Sequence, residues 1–347
     1  MTRRDRVLLG LRHEQPDRTP VDFQAVPEIW QAVCRHFGAE DPKEVLDALD
    51  IDVAWVDPEV SREPRLTDDD GLLIGWGGSR LKKVYNEYGA YDEVVRYATE
   101  GATTPEEIDA ALTLPDLDRW DFGSVKRACE KYSDRFLIGG FASIFYYPTL
   151  VRSMEDLLTD MALNPPLARH LLKRCFDWHM DYHTRLLKAG NGRIDAMQLA
   201  DDFSSQLGPL IGMPMFRDYF REPMCAYIEL AKSHGAVPFL HCCGSPYKFI
   251  AEFLDMGVKI LDPVQTRARD MEPERLKDEF GSRLAFHGGG ETQAILPRGT
   301  AEDARQNARY LCKTLGAHGG YILSSCHFWQ ADVPLQNILA FYEIRNR

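Results

Sequence analysis

What the chain has little of narrows its role before any motif is read. No stretch of its 347 residues approaches ~18 uninterrupted apolar positions, the length a helix needs to cross a bilayer, so a membrane-spanning protein is not expected. Positive charge is in deficit: Lys and Arg number 41 against 53 Asp and Glu, a formal net charge of −12, and no local basic patch offsets it. That balance argues against a nucleic-acid partner. Paired CxxC knuckles are missing, and the eight cysteines (Cys34, Cys129, Cys175, Cys225, Cys242, Cys243, Cys312 and Cys326) are scattered through a chain too large to need disulfide staples. The opening "MTRRDRVLLGLRHEQPDRTPVDF" has no small-residue cleavage site and is broken by charges every few positions, so it reads as an amphipathic first helix rather than a signal peptide. Together these absences predict a cytoplasmic protein whose thiols stay reduced.

What is present is ordinary in bulk and regular in order. Hydrophobic residues make up 44% and charged residues 27%, enough for a proper core in a soluble chain. After the first helix and two short helical segments comes the strand-like "IDVAWVDPEV"; "GLLIGWGGSRLKKVYNEYGAYDEVVRYATEG" then suggests a hairpin excursion. The strand "RFLIGGFASIF" feeds a long helical run from about Met154 to Ala189, interrupted at "NPP". From there strands and helices alternate: "RIDAMQLADDF", a helix over "PMFRDYFREPMCAYIELAKSHG", "AVPFLHCCG", a helix, "VKILDPVQ", a helix, "RLAFHGGGE", a helix, "GGYILSSCHF", and a last helix over "PLQNILAFYEIRN". This is the pattern of a parallel sheet with crossover helices. Polar residues follow strand after strand (Asp201 and Asp202, His241 and Cys243, Gln265, His287 and Glu291, Cys326). An open sheet would spread them along a line, whereas a closed (β/α)8 TIM barrel gathers them at one mouth. The expectation is therefore an α/β fold, a (β/α)8 barrel formed by residues 1–347 as a single domain, with an N-terminal helical extension and a hairpin excursion.

The stretch "AVPFLHCCGSPYKF" places three soft side chains at a strand end. Side chains alternate faces along a strand, so His241 and Cys243 share one face and Cys242 points into the layer beneath the helices. Core packing is the bland alternative for all three, since free cysteine is often buried. The strand "GGYILSSCHFW" adds Cys326 at a second strand end. One imidazole and two thiolates match the three-ligand zinc sites that keep a fourth position open. His327, adjacent to Cys326, would face away if the alternation continued. Asp201 and Asp202 likewise alternate, so one of the pair would face the cavity, as substrate contact or fourth ligand, with capping of the next helix as the competing role.

These segments carry a resemblance. "LRHEQPDRTPVDF", "LADDFSSQLGPLIGMPMFRDYFREP", "HCCGSPYKFIAEFLDMGVKILDPVQ", "LAFHGGGETQAILPRGT" and "GGYILSSCHFWQADVPLQNILAFYE" are similar, in order, to the uroporphyrinogen decarboxylase superfamily. The resemblance implies a (β/α)8 barrel and one of two chemistries. True decarboxylases use no metal and hold a tetrapyrrole through arginines of a "RQAGRY"-like motif, where this chain reads "FQAVPEIWQAV". The other branch comprises corrinoid-linked methyltransferases, whose thiol-methylating members carry zinc on HxC and a distant Cys, a pattern onto which His241, Cys243 and Cys326 fall. The resemblance thus implies Zn2+, a corrinoid (cobalamin) carried by a partner protein, and a small-molecule methyl donor or acceptor. The chain has no DxHxxG corrinoid motif of its own, so the corrinoid protein would be separate. Asp202 and Glu291 are the candidate catalytic carboxylates; Glu291 stands in "GGGETQ" where the family reads "GGIDTQ". Tyr146 and Gln265 are the candidate cofactor contacts, Gln265 lying where a related methionine synthase would supply a glutamate ligand. The alternatives are a metal-free tetrapyrrole decarboxylase and a non-catalytic corrinoid or porphyrin binder. A homo-oligomer is compatible with the sequence.

Overall fold

Seven short runs, each fully or largely buried, pair in parallel in the computed structural model, which describes residues 1–60 and 66–343. They are β1 (Val53–Trp55), β2 (Phe136–Ser143), β3 (Ala196–Ala200), β4 (Val237–His241), β5 (Ile260–Asp262), β6 (Ala285–Gly290) and β7 (Tyr321–Ser325), adjacent in chain order. The segment around Val21 closes the ring. Leu323 donates its N–H to Pro20 O at 2.8 Å and Asp22 donates to Leu323 O at 2.9 Å, while on the other flank Asp52 donates to Val21 O at 2.9 Å. With this eighth stave the sheet is the expected α/β barrel.

Alternation along the staves divides the interior into two cores. Val53, Phe136, Ile138, Ala196, Phe239, Ile260, Ala285 and Ile322 meet at the centre, and the intervening residues, such as Leu137, Leu240, Leu261 and Leu323, face the surrounding helices. Because the period is two, the residue two beyond each central position returns to the interior nearer the mouth. That rule sends His241, Asp262, His287 and Ser324 into the barrel and Cys242 out into the helix layer, where it is fully buried.

The opposite end is closed by α1 (Arg3–Leu11), whose Val7 joins the central core and whose Gly10 carbonyl accepts the Gly320 N–H at 2.7 Å. This is the expected N-terminal extension, used as a plug. The hairpin excursion is also present: strands Arg80–Asn86 and Gly89–Arg96 pair antiparallel, with Leu73–Ile74 beside the first.

Two local readings change. The helix expected over 214–235 is two helices, Met213–Tyr219 and Arg221–Ser233, broken at Phe220. Pro223 has no N–H to return to the Tyr219 carbonyl, which makes the break inexpensive, and Phe220 turns inward against Phe145 and Phe203. The final helix runs Leu335–Tyr342, and its expected last turn lies outside the described residues. Among the described residues no helix is long and apolar enough to cross a membrane.

Candidate metal centre at the barrel mouth

Strand register alone brings His241 and Asp262 opposite one another, since they are paired residues of β4 and β5. The imidazole Nδ1 of His241 lies 2.6 Å from Asp262 Oδ2, and the other carboxylate oxygen, Oδ1, lies 2.6 Å from His287 Nδ1 on β6. His287 Nε2 in turn lies 3.1 Å from Asp22 Oδ2 on the closing stave, and Trp55 on β1 donates its indole N–H to the same oxygen at 3.0 Å. An ionised carboxylate only accepts, so both rings present Nδ1–H to Asp262. In its neutral form His241 then keeps an Nε2 lone pair facing the mouth; burial would lower the pKa of this ring, but the carboxylates of Asp262 and Asp202 outweigh it and raise it above the ordinary histidine value. Burial alone would lower the His287 pKa, but the carboxylates of Asp262 and Asp22 outweigh it and push the ring up to about 9. Asp262 moves the opposite way: burial would raise it, and the two rings hold it well below the ordinary carboxylate range.

Two donors converge on that lone pair. Cys243 Sγ lies 3.5 Å from His241 Nε2, and Asp202 Oδ1 lies 3.7 Å from it. Among the described residues these three ligand atoms form a cluster in which all lie within 4.8 Å of one another. With Zn–S near 2.3 Å and Zn–N near 2.0–2.1 Å, a tetrahedral angle separates the two ligand atoms of one zinc by about 3.5 Å. The observed sulfur-to-nitrogen separation therefore fits a shared ion. The donor chemistry points the same way: burial first, and then the nearby carboxylates of Asp202 and Asp262, push the Cys243 thiol well above its ordinary range. Only a cation close to the sulfur would make it a thiolate here.

The loops that carry these donors are locked together. Gly244 sits at φ +82, and a Cβ there would stand 2.5 Å from the Ser205 carbonyl, so only glycine lets the loop after β4 press against the loop after β3. Ser245 N–H bonds Ser205 O at 2.9 Å, and the Cys243 N–H bonds Asp202 Oδ1 at 2.8 Å. Asp202 is thus aimed by the backbone of the residue beside which it would ligate. Asp201 does not cap the helix that follows it: fully buried, it accepts from the Ser143 hydroxyl at 2.6 Å and from the N–H groups of Ile144, Phe145 and Tyr146, in the turn after β2.

Two expectations need correction, those for Glu291 and Gln265, and Cys326 stands apart. Cys326 lines the same cavity as His241, but its thiol pairs with Thr292 Oγ1 at 3.0 Å and stands outside the three-atom cluster. Glu291, expected as a catalytic acid, turns its carboxylate onto the N–H groups of Gln293, Ala294 and Ile295, where it caps the turn after β6. Gln265, expected as a cofactor contact, accepts from Gln206 and, at 3.0 Å, from the Gly244 N–H, so it fastens the ligand-bearing loop from outside the cavity. Tyr146 does line the cavity, beside Phe141. His327 lines it too, contrary to the alternation argument, because β7 ends at Ser325 and the chain turns before the period can carry on.

Phe141 reaches the mouth through an irregularity in β2. Register shifts between Gly139 and Ala142, and the displaced Phe141 N–H is taken up by His183 Nε2 at 3.0 Å. The resulting cavity holds about 300 Å3 and is lined by Asp201, Asp202 and Asp262 among the acids, with three histidines and Cys326. No Lys or Arg lines it among the described residues. A larger outer groove, about 380 Å3 between the helices Pro165–Gly190 and Arg221–Ser233, offers no such chemistry: its Arg169 and Asp218 pair with each other at 2.8 Å.

Asp22 and Asp262 join the candidate site without having been expected there. The signal was present in "VKILDPVQ", where the strand's interior position Ile260 puts an acid two residues on.

The family model for uroporphyrinogen decarboxylase (URO-D) matches residues 92–347. No curated protein sequence matches the chain. Among solved structures, a methyltransferase from Methanosarcina mazei superposes with a TM-score of 0.68 at 17% identity, over 100% of this chain and 98% of that one, a likeness that establishes a shared fold. A 3-keto-D-glucoside 4-epimerase from E. coli gives a TM-score of 0.38 at 14% identity, over 64% of this chain and 82% of that one.

Proposed function

Because the chain belongs to the uroporphyrinogen decarboxylase family, we propose that it is a zinc-dependent methyltransferase that moves a methyl group between a separate corrinoid protein and a small thiol or methyl-ether donor. The observation that carries this reading is the convergence of His241 Nε2, Cys243 Sγ and Asp202 Oδ1 within 4.8 Å of one another, beside a cavity that His241 and Asp202 line and that has no lysine or arginine among its described lining residues. A tetrapyrrole bearing several carboxylates needs cationic side chains to receive it, and an acidic cavity would repel it. The same acids and thiols favour a divalent cation. The full-length fold shared with the methyltransferase from Methanosarcina mazei supports the reaction class.

His241, Cys243 and Asp202 would hold the ion, with Cys326 on the facing wall as the further thiolate once its bond to Thr292 is given up. Bound zinc would keep a substrate sulfur deprotonated at neutral pH, or polarise the oxygen of an ether donor. The protein's own groups do the rest. Asp262 orients His241 so that its lone pair faces the ligand position. Phe141, Tyr146 and Phe328 line the cavity with apolar surface against which a transferred methyl group would pack.

The test is metal analysis of protein purified without added metal, with Cys243→Ser and Cys326→Ser in parallel. The expected result is about one zinc per parent chain and a large loss in Cys243→Ser. Methylcobalamin with simple alkyl thiols then serves as the activity probe. A parent essentially free of zinc, or one that forms coproporphyrinogen regardless of either cysteine, removes the reading.

A further inference from the structure

The zinc reading uses one face of Asp262. Behind Asp262 stand His287, 3% exposed, and Asp22, fully buried, in a line that ends at the Trp55 indole. None of the three reaches the candidate ligand cluster. Core packing could have been achieved by apolar residues at those interior positions with less desolvation cost. A histidine clamped between two carboxylates calls for a role that an apolar residue could not fill.

Counting donors and acceptors supplies it. Asp262 has two oxygens; one takes the His241 Nδ1–H and the other the His287 Nδ1–H, each at 2.6 Å. Asp22 accepts at the far nitrogen of His287, and its oxygens also take the Trp55 indole and the Phe23 N–H, the latter at 2.7 Å. With acceptors at both nitrogens, His287 carries both protons. It is therefore a fixed imidazolium, and the three groups Asp22, His287 and Asp262 together bear one net negative charge rather than two. Without it, one Asp262 oxygen would be unfilled, and the carboxyl would be free to turn away from His241. The ring would then have no fixed acceptor holding its hydrogen at Nδ1, and nothing would keep Nε2, the nitrogen that faces Cys243, bare.

We propose that His287, held between Asp22 and Asp262, is a positioning residue that fixes His241 as the Nδ1–H tautomer and so keeps its Nε2 lone pair turned to the donor cluster. The tautomer claim stands on the hydrogen-bond geometry alone; its consequence for metal affinity rests on the zinc reading. His287 acts through Asp262 and touches neither substrate nor reacting atoms, so it is not itself catalytic.

Nitrogen-15 histidine NMR of the metal-free protein tests the tautomer directly, with His241→Gln used to assign the His241 signals. At a pH above the raised pKa of the ring, the parent is expected to show His241 Nε2 unprotonated. In His287→Gln, and in the near-isosteric Asp22→Asn should the first variant fold poorly, His241 is expected to populate the opposite tautomer. Zinc competition against a chromophoric chelator should show about 10–100-fold weaker binding in the same variants, the usual cost of losing an outer partner of a ligating histidine. Folded variants with the parent's tautomer, or with the parent's zinc affinity, overturn the proposal. A parent that takes up no zinc while its tautomer responds to His287→Gln sustains the positioning role and removes the metal reading, so the two failures are told apart.

Discussion

The two ends of this barrel treat their acids differently. At the end plugged by α1, the buried acids Asp52 and Asp195 meet cations built into the chain. Asp52, fully buried, accepts from Arg6 at 2.6 Å, from Arg18 at 2.5 Å and from the Val21 N–H at 2.8 Å. Asp195 is matched by Arg4 at 2.6 Å, and the wholly buried Arg135 by Asp47 at 2.5 Å and the Ile51 carbonyl at 3.2 Å. At the mouth, Asp202, Cys243 and the His241 lone pair converge with no lysine or arginine among the described lining residues. The acids are of one kind; what differs is the source of the answering charge. Where the fold must merely close, the chain supplies the cation, and where chemistry is expected, a set of donors is left facing a shared point.

That contrast can be broken most decisively at Cys243. Replacing Cys243 with Ser exchanges a thiolate for a weakly acidic hydroxyl, so zinc content should fall from about one per chain to a small fraction while the melting temperature of the metal-free protein barely moves. Equal zinc in the variant, measured by atomic emission, would show that the sulfur is not a ligand. The matching change at the plugged end is Asp52→Asn, which leaves Arg6 and Arg18 without their shared carboxylate. Breaking a buried pair from one side costs about 3–5 kcal/mol, so urea unfolding should shift by that much with zinc uptake in the surviving folded protein unchanged. A neutral Asp52→Asn would mean that the charges at this end are ornament and that the comparison fails.

The line behind the mouth should respond to pH. The folded pKa of His287, about 9, stands above the unfolded value of about 6.5. A raised histidine contributes stability that is fully present below the unfolded value and is lost as pH rises through the folded one. Metal-free protein should therefore lose on the order of 3 kcal/mol between about pH 6.5 and pH 9. His287→Gln should be flatter over the same window in urea titrations. Parallel curves for parent and variant would show that the imidazolium contributes nothing to stability.

How much of this could be read beforehand varies with the kind of information required. Alternation needs only local order, and it correctly sent His241 inward and Cys242 outward, because the strand from Val237 to His241 is regular. The barrel followed from the same reasoning applied stave by stave, except that its eighth stave is a few residues around Val21, too short to advertise itself. Glu291 and Gln265 were misread for one reason. Each sits just past a strand end, as a ligand would, and what decides its role is the nearest unsatisfied N–H, in the turn 293–295 for Glu291 and at Gly244 for Gln265. Backbone donors of that sort emerge only once the loops are folded. Asp22 escaped because its partner His287 is 265 residues away.

The smallest effect sharpens the contrast most, because it should have the opposite sign from its counterpart at the plugged end. Asp202 is an acid at the mouth with a side chain 40% exposed, and it accepts from the Cys243 N–H at 2.8 Å with His241 Nε2 at 3.7 Å. Asparagine can accept the same bond through its amide oxygen, so Asp202→Asn removes a charge without stranding a donor. Solvent screens what remains, and the change in metal-free stability should stay within about 1 kcal/mol and lean toward stabilisation. Zinc binding should weaken all the same, because an amide oxygen is a poorer ligand than a carboxylate. An acid whose loss leaves the empty fold no worse and the loaded one weaker is an acid kept for the ion. If urea unfolding instead shows Asp202→Asn costing as much as Asp52→Asn, the mouth acids serve the fold as the plugged-end acids do, and the donor cluster would need a different explanation.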